Sequence, residues 1–408
     1  MTDKKYEVIL FQPYLRKFVL NFGKNLQHFS FSNIAHISIS GGGYHKLPNF
    51  ENEVLRVKTH WKNRLRRLLG IPNIRPYFKK RGDLLFTYGC LLLTFKPYCT
   101  YLETGLALYN YDLGIAKNPF AKFIVSFFAT RSNCKRLIFV SEASKKSFFS
   151  TISYSTKFKA LLEQKSTVVY PIPLENPNIT SPKRATKNLK LLFPGTFYMK
   201  GGMEVTHAYE TLRKNYPTIS LTIITAIHML KKEDVNYIQS LPGLILQDAT
   251  LNEEQMANMY RSHDILLLPT YREGFGLVLI EALSYGMPLV ITDQYATKEM
   301  VMEKFNGFIY PNHPLKDYNP QTYQMLGRYY NPKNFYKDLF MLQRSNQLKP
   351  IEDFLVSSVE QFLKNENLLE EYSKNSISLY NEKFKESKLS NEIEAIFSEA
   401  VETKEQHL

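Results

Sequence analysis

The segment 271–293 reads YREGFGLVLIEALSYGMPLVITD. It follows an apolar run of strand length at 264–269 and ends in a second such run at 288–292, with a block of helical pattern between them. This order predicts a strand, loop, helix, strand unit. Gly274 and Gly276 lack side chains where the helix begins, so backbone N–H groups there can approach an anion closely, and the helix dipole adds to the attraction. We therefore expect a phosphate-bearing ligand at this loop.

The same alternation of strand and helix patterns recurs along most of the 408 residues. Strands are predicted at YEVILF (6–11), HISIS (36–40), DLLFTYG (83–89), PYCTYLE (97–103), RLIFVSE (136–142), LKLLFPG (189–195), SLTIITA (220–226), LILQDAT (244–250), DILLLPT (264–270) and PLVITD (288–293). Alternation of this kind is typical of doubly wound α/β domains with parallel sheets.

Prolines divide the chain, because four of them fall between 171 and 182 and separate two apolar-patterned regions. The predicted organisation is an N-terminal Rossmann-like domain at 1–170, a linker at 171–188, a C-terminal Rossmann-like domain at 189–348, and helices at 349–408. We expect these last helices to pack back toward the N-terminal domain.

Cysteine content and hydropathy argue against a disulfide-rich protein and against a membrane-spanning one. Three cysteines, at 90, 99 and 134, cannot form a disulfide framework, and none lies in a C-x-x-C pair. The longest uncharged apolar run, 84–95, is shorter than the roughly 20 residues that a membrane-spanning helix needs. We expect a cytoplasmic chain in a reducing compartment.

Positive charge is concentrated in the first half of the chain. Residues 1–182 carry 27 basic and 10 acidic side chains, a net +17, within a total of +14. The segment 54–81 holds ten cations and no acid, interleaved with leucines and Trp61, which suits either a membrane-interface helix or a solvated helix face. The basic, Phe-rich run at 120–128 favours an anionic membrane surface, reached from the cytoplasmic side, as a partner. No groove-reading or stacking motif accompanies the charge, so no nucleic-acid partner is expected.

Two glutamates in the 271–293 segment have the residue type and spacing to hold a sugar nucleotide. Glu281 lies in a very apolar helix, where a carboxylate needs a cleft or a partner, and two ribose hydroxyls would satisfy it. Glu273 lies at the mouth of the helix, within reach of a sugar attached to the phosphates. Taken singly, Glu273 also fits an ordinary helix cap and Glu281 an ordinary ion pair.

Together these residues resemble the E-x7-E signature of retaining glycosyltransferases of family 4, in which E-G-F-G-x-x-x-x-E-A precedes G-x-P-L-V. Further segments are similar to that family's pattern, namely FPGTFYMKGG (193–202), SHDILLLPT (262–270), Glu299, NGF (306–308) and RLIFVSEASKKSF (136–148). The resemblance implies a GT-B fold, in which two Rossmann-like domains face each other. It also implies that the C-terminal domain holds the nucleotide sugar, that the N-terminal domain holds the acceptor, and that the transfer retains the anomeric configuration without a metal.

The resemblance implies a donor site, and this sequence departs from the family's pattern at two positions. Its predicted members are Thr196, Lys200, Gly201, Arg272, Gly274, Phe275, Gly276 and Glu281, with Glu273 as a catalytic residue. Thr196 stands where the family has an arginine, and we expect Arg272 to replace that cation. Glu103 stands where the family commonly has a histidine, and it is either a second catalytic carboxylate or an ordinary loop residue.

The absence of a metal is expected on independent grounds. No D-x-D triplet occurs in the chain, so cations and N–H dipoles must neutralise the diphosphate, and no cofactor is expected. The sequence thus predicts a retaining glycosyltransferase that acts on a lipid-linked glycan or a polysaccharide precursor. Two alternatives stay open: a catalytically impaired, nucleotide-sugar-binding partner of an active enzyme, and a glycosyltransferase acting on nucleic acid.

Overall fold

The computed structural model describes residues 5–11, 17–33, 69–152, 156–173, 181–184, 188–311, 313–328, 331–365 and 367–405. Within these ranges the first half of the chain forms strands β1 (Tyr6–Phe11), β2 (Phe29–Asn33), β3 (Ile74–Pro76), β4 (Leu84–Tyr88), β5 (Leu91–Leu93), β6 (Tyr98–Leu102), β7 (Cys134–Phe139) and β8 (Ser166–Val168). The second half forms β9 (Lys190–Pro194), β10 (Ser220–Thr225), β11 (Leu244–Asp248), β12 (Ile265–Leu268), β13 (Leu289–Thr292) and β14 (Gly307–Tyr310).

Two six-stranded parallel sheets organise the chain, one in each half. Their orders are β2-β1-β4-β6-β7-β8 and β11-β10-β9-β12-β13-β14, while β3 and β5 form a separate pair. Every residue of β4 and of β12 is buried, as expected for strands that helices cover on both faces. The predicted fold class, two doubly wound α/β domains followed by helices, is confirmed.

Helices connect and cover these strands. In the first half they are α1 (Lys17–Asn21), α2 (Leu113–Lys117), α3 (Pro119–Thr130), α4 (Glu142–Thr151) and α5 (Thr156–Lys165). In the second half they are α6 (Gly202–Asn215), α7 (Lys232–Ser240), α8 (Glu253–Ser262), α9 (Leu277–Ser284) and α10 (Pro332–Arg344), followed by α11 (Lys349–Lys364), α12 (Leu368–Leu379) and α13 (Glu386–Glu405). No helix in the described part of the chain is both long enough and apolar enough to cross a membrane.

Several helices begin at side-chain caps that the sequence supplies. The side chain of Asn118 accepts a hydrogen bond from the Phe120 N–H at the start of α3, and Pro119 occupies the first turn. Asn252 and Gln255 form a reciprocal capping box at α8. These caps fix where each helix starts relative to the strand before it.

The last helix packs against the first sheet. α13 contacts β4, β6 and β7, and the ring of Phe397 lies 5.3 Å from that of Phe86 in an edge contact. The carboxylate of Glu394 accepts hydrogen bonds of 2.8 Å from the backbone N–H groups of Gln27 and His28. The end of the chain therefore stabilises the N-terminal half, while the predicted domain limits themselves stay predictions.

Five strands were not predicted from the sequence: β2, β3, β5, β8 and β14. Each lies at an edge of its sheet or is only three residues long, so it lacks the long apolar run that marks a central strand. The predicted strand HISIS (36–40) and residues 54–68 of the basic segment 54–81 lie outside the described residues.

Candidate functional site

A cavity of about 270 Å³ lies between the two halves of the chain, at the carboxyl ends of the strands. The first half contributes Phe18, Glu103 and Val140, and the connection between the halves contributes 171–173. The second half contributes Pro194, Gly195, Thr196, Lys200, Met256, Tyr260, Glu273, Phe275, Gly276, Leu277, Val278 and Glu281. The sequence-predicted loops 193–202 and 271–276 thus meet at one cavity.

Lys200 is held at the cavity wall by the loop that carries Glu273. Its ammonium donates a 2.8 Å hydrogen bond to the carbonyl of Arg272 and forms an ion pair with the Glu273 carboxylate. Both side chains of this pair are mostly buried, at 18% and 15% exposure. Lys200 is the one cation among the described residues that line the cavity.

Gly201 connects Lys200 to helix α6 in a way that only glycine allows. Its φ is +80°, a left-handed conformation, and an added Cβ would lie 2.5 Å from the carbonyl oxygen of Pro269. The backbone of β12 therefore approaches the start of α6 closely. This contact sets Lys200 beside the loop that follows β12.

The loop at 273–276 leads into helix α9 through Gly276, whose φ is +96°. Leu277 and Val278, in the first turn of α9, line the cavity, so N–H groups that have no partner within the helix lie at its wall. The other oxygen of Glu273 accepts a 3.0 Å hydrogen bond from the N–H of Gly274. The lysine and this bond together fix the orientation of the Glu273 carboxylate.

Glu103 reaches the same loop from the opposite domain. It follows β6, and its carboxylate accepts a 2.7 Å hydrogen bond from the hydroxyl of Tyr88 at the end of β4. A Cβ added at Gly274 would lie only 3.0 Å from an oxygen of Glu103. The absence of a side chain at 274 is what allows the two domains to approach so closely here, with Glu103 and Glu273 at one end of the cavity.

Glu281 lies farther along the cavity wall, on helix α9. Its carboxylate accepts a 2.7 Å hydrogen bond from the hydroxyl of Tyr260, which projects from α8. Burial raises the pKa of Glu281 above the ordinary value, and the hydrogen bond from Tyr260 offsets part of that rise. Beside Tyr260 and Met256, this carboxylate is placed to accept hydrogen bonds from the hydroxyls of a ligand.

The raised pKa predicts a pH dependence of ligand binding. Ribose hydroxyls that donate to Glu281 would favour its ionised form, so ligand binding lowers the pKa of Glu281. The affinity for the ligand therefore weakens as the pH falls below the pKa that Glu281 has in the free protein. We expect nucleoside diphosphate affinity, measured by calorimetry between about pH 8 and pH 5, to decrease toward acid more steeply in the wild type than in Glu281→Gln. The pH dependence of the variant measures the contribution of the diphosphate's own titration. If affinity has the same slope against pH in the wild type and the variant, Glu281 does not contact the ribose.

The remaining predicted site residues occupy different positions. Thr196, Phe275 and Gly276 line the cavity with Lys200, Glu273, Glu281 and Glu103, whereas Gly201 and Gly274 shape the backbone beside it. Arg272 is not among the described lining residues, and it meets Lys200 through its backbone carbonyl. The expected compensation by the Arg272 side chain, like the chemical roles of all these residues, stays a prediction.

A second contact between the domains was not predicted from the sequence. The carboxylate of Glu299 accepts 2.9 Å hydrogen bonds from the N–H groups of Glu142 and Ala143, at the start of α4, and a 3.0 Å bond from the hydroxyl of Tyr170. A carboxylate of one domain thus caps a helix of the other. Tyr170 also packs its ring 5.9 Å from that of Phe275, which joins this contact to the cavity wall.

The residues that the structure describes contain no group of three or more His, Cys, Asp or Glu side chains that could hold a metal ion.

Parts of the chain are similar to known glycosyltransferases. Residues 178–319 match the family model of glycosyl transferases group 1. A D-inositol 3-phosphate glycosyltransferase of Arthrobacter sp. is 30% identical over 134 residues, which is 31% of this chain and 32% of that protein. An uncharacterized glycosyltransferase of Haemophilus influenzae is 25% identical over 49% of this chain and 54% of its own length. The chain thus spans between about a third and a half of these curated relatives.

Solved structures show the fold over nearly the whole chain. HepE of Anabaena, solved in complex with UDP-glucose, superposes with a TM-score of 0.56 at 12% identity, covering 96% of this chain and 99% of that protein. WaaG, a glycosyltransferase involved in lipopolysaccharide biosynthesis, superposes with a TM-score of 0.52 at 11% identity, covering 96% and 99%. The chain has the GT-B fold, and its segment 178–319 matches the glycosyl transferases group 1 family.

Proposed function

We propose that the chain is a hexosyltransferase that moves a sugar from a nucleotide-sugar donor to a glycan or glycolipid acceptor, with retention of the anomeric configuration. The observation that carries the proposal is the convergence of Lys200, Glu273 and Glu281 from one domain and Glu103 from the other on one cavity. The match of residues 178–319 to glycosyl transferases group 1 supports it.

Each group has a role that its position favours. The diphosphate binds between the Lys200 ammonium and the N–H groups at the start of α9, and the ribose donates to Glu281. The transferred sugar lies toward Glu273, so the departing diphosphate oxygen is stabilised by Lys200 while positive charge develops at the anomeric carbon. Glu103, held by Tyr88, is placed on the acceptor side, where its carboxylate orients the attacking hydroxyl or stabilises that positive charge.

The charge of the N-terminal half supports the proposed acceptor class. Its net charge of +17 over residues 1–182 favours an anionic partner, and a lipid-linked glycan at a membrane face is such a partner. The similarity in fold to WaaG, which is described as taking part in lipopolysaccharide biosynthesis, supports the same class. A cytoplasmic location at the inner face of the membrane belongs to this proposal.

The test of the donor is a thermal shift screen of nucleotide sugars with and without EDTA. A ligand at about 100 times its Kd stabilises the folded state by about 2.7 kcal/mol, which raises the Tm measurably. Because Lys200 and N–H dipoles neutralise the diphosphate in this proposal, we expect the same Tm increase in EDTA as in Mg²⁺, and transfer in both. An increase that appears only with a divalent ion would contradict the proposed diphosphate site.

A second candidate is a nucleotide-sugar-binding partner that has lost transfer activity. Thr196 in place of the family arginine, together with Lys200 as the single cation among the described lining residues, favours it. This candidate predicts nucleotide binding without transfer or hydrolysis of the donor. Release of the free nucleoside diphosphate, followed over time with the purified chain and a bound donor, distinguishes the two.

A further inference from the structure

Helix α3 exposes an unusual face. Phe120, Phe123 and Phe127 are 61%, 51% and 43% exposed, and their spacing of three and four residues places them on one side of the helix. The opposite side faces the core and carries smaller residues, namely Ala121, Val125, Ser126 and Ala129. The face that an ordinary surface helix fills with charged residues is therefore aromatic.

Other exposed apolar side chains flank the same helix. β5, which contacts α3, ends in Leu93 at 41% exposure and leads to Phe95 at 89%, whose ring lies 6.2 Å from that of Phe78. At the other end, a Cβ added at Gly70 would lie 2.5 Å from the Asn118 side chain that caps α3. We call the following set the apolar ridge: Phe120, Phe123 and Phe127 with Leu69, Ile71, Phe78, Leu93 and Phe95. A large exposed apolar patch on a folded protein indicates an interaction surface.

Cations outnumber acids around the apolar ridge. Its members lie in segments 69–82, 84–102 and 113–141, which contain no Asp or Glu and carry four, one and five cations respectively. The guanidinium of Arg131 lies 5.8 Å from the ring centroids of both Phe127 and Phe128. Arg81 and Arg136 are paired with carboxylates from elsewhere in the chain, those of Glu7 and Glu399, so the other cations of these segments supply the positive charge at the ridge.

We propose that the apolar ridge is the surface by which the protein docks on a membrane that contains anionic lipids. Aromatic side chains enter the boundary between head groups and acyl chains, and bordering Lys and Arg side chains bind anionic head groups, so a bilayer satisfies both features at once. The proposal deepens the proposed function, because it names the described residues by which the chain would reach a membrane face, whereas docking itself needs no nucleotide.

The position of α3 relates this surface to the cavity. The chain passes from the carboxyl end of β6, where Glu103 lies, through α2 and α3 to the start of β7. Since β6 and β7 are parallel neighbours, α3 begins on the edge of the sheet that carries Glu103. Resting on the proposed function, this places a membrane-held acceptor on the Glu103 side of the cavity.

The experiment compares the full chain with a variant carrying Phe120→Ser, Phe123→Ser and Phe127→Ser. The matched control carries Ile245→Ser, Leu326→Ser and Met341→Ser, which remove side chains of similar exposure, 57%, 54% and 55%, from the other half of the chain. In sedimentation with phosphatidylglycerol vesicles, we expect the ridge variant to bind about tenfold or more weakly than wild type, and the control to bind like wild type. Phosphatidylcholine vesicles should bind the wild type weakly.

A second variant keeps the fold and reports insertion directly. The chain has one tryptophan, Trp61, so Phe120→Trp in a Trp61→Phe background carries a single emitter on the apolar ridge, and its emission should shift to the blue with anionic vesicles. Equal loss in the control, equal binding to both lipids, or an unshifted emission would overturn the proposal. UDP affinity, measured on every variant, is independent of the ridge, so a failed docking surface is distinguishable from a failed donor site.

Discussion

Replacing Lys200 with alanine should weaken nucleoside diphosphate binding by about 1.5–3 kcal/mol, roughly 10- to 150-fold. Lys200 is the one cation among the described residues that line the cavity, and it is mostly buried against Glu273. Its removal takes away a charge-assisted hydrogen bond and also leaves a carboxylate unpaired beside the diphosphate. Calorimetric titration with UDP and GDP in EDTA measures the effect.

The chain offers a matched control for this substitution. Lys316 forms an ion pair with Asp293 at 3.4 Å, with side-chain exposures of 19% and 20%, but it is not among the described lining residues. Lys316→Ala should leave the affinity unchanged. In Lys200→Ala combined with Glu273→Gln, part of the lost affinity should return, because the unpaired carboxylate is gone. If Lys200→Ala binds like the control, the diphosphate does not contact Lys200.

The sequence predicted the fold where local pattern and burial coincide. β4 and β12 are apolar throughout because helices cover both faces of a parallel sheet, so LLFTY and ILLL read directly as strands. β2 does not, since FSFSN alternates with serine and lies at a sheet edge. The helices after Lys349 were also predicted from local pattern, because each repeats apolar residues at helical spacing on the face that packs.

The candidate site, too, could be predicted from the sequence only in part. Glu273 and Glu281 belong to one loop and the helix after it, so their spacing alone places them on one wall of a cavity. The contacts that join distant segments carry no such signal. Nothing local to Tyr88 indicates its bond to Glu103, and nothing local to Gly274 indicates that Glu103 approaches it from the other domain. Those features depend on how the two sheets face each other, which a single sequence does not encode in any periodicity.

The largest effect on activity is expected for Glu273→Gln, which should lower turnover by about 10²–10³-fold without lowering the affinity for the bare nucleoside diphosphate. Glu273 lies where the sugar is expected, and a contact that strengthens as the sugar bond breaks affects kcat rather than nucleotide binding. In the free protein its carboxylate is paired with Lys200. Neutralising it frees the ammonium, so the affinity for UDP should be unchanged or slightly higher.

The result for Glu273→Gln is to be compared with that for Glu281→Gln. Glu281 is bonded to Tyr260 farther along the cavity wall, and any ligand with a ribose should contact it. The substitution should therefore weaken the nucleoside diphosphate and the intact donor alike, by about 1.5–3 kcal/mol, while kcat at saturating donor falls much less than in Glu273→Gln. Calorimetry with both ligands and a transfer assay on both variants separate the two roles. If the two substitutions act identically on both ligands, or if neither changes transfer, the paired glutamates do not divide one sugar nucleotide between them, because a residue that contacts only the sugar cannot affect a ligand that lacks it.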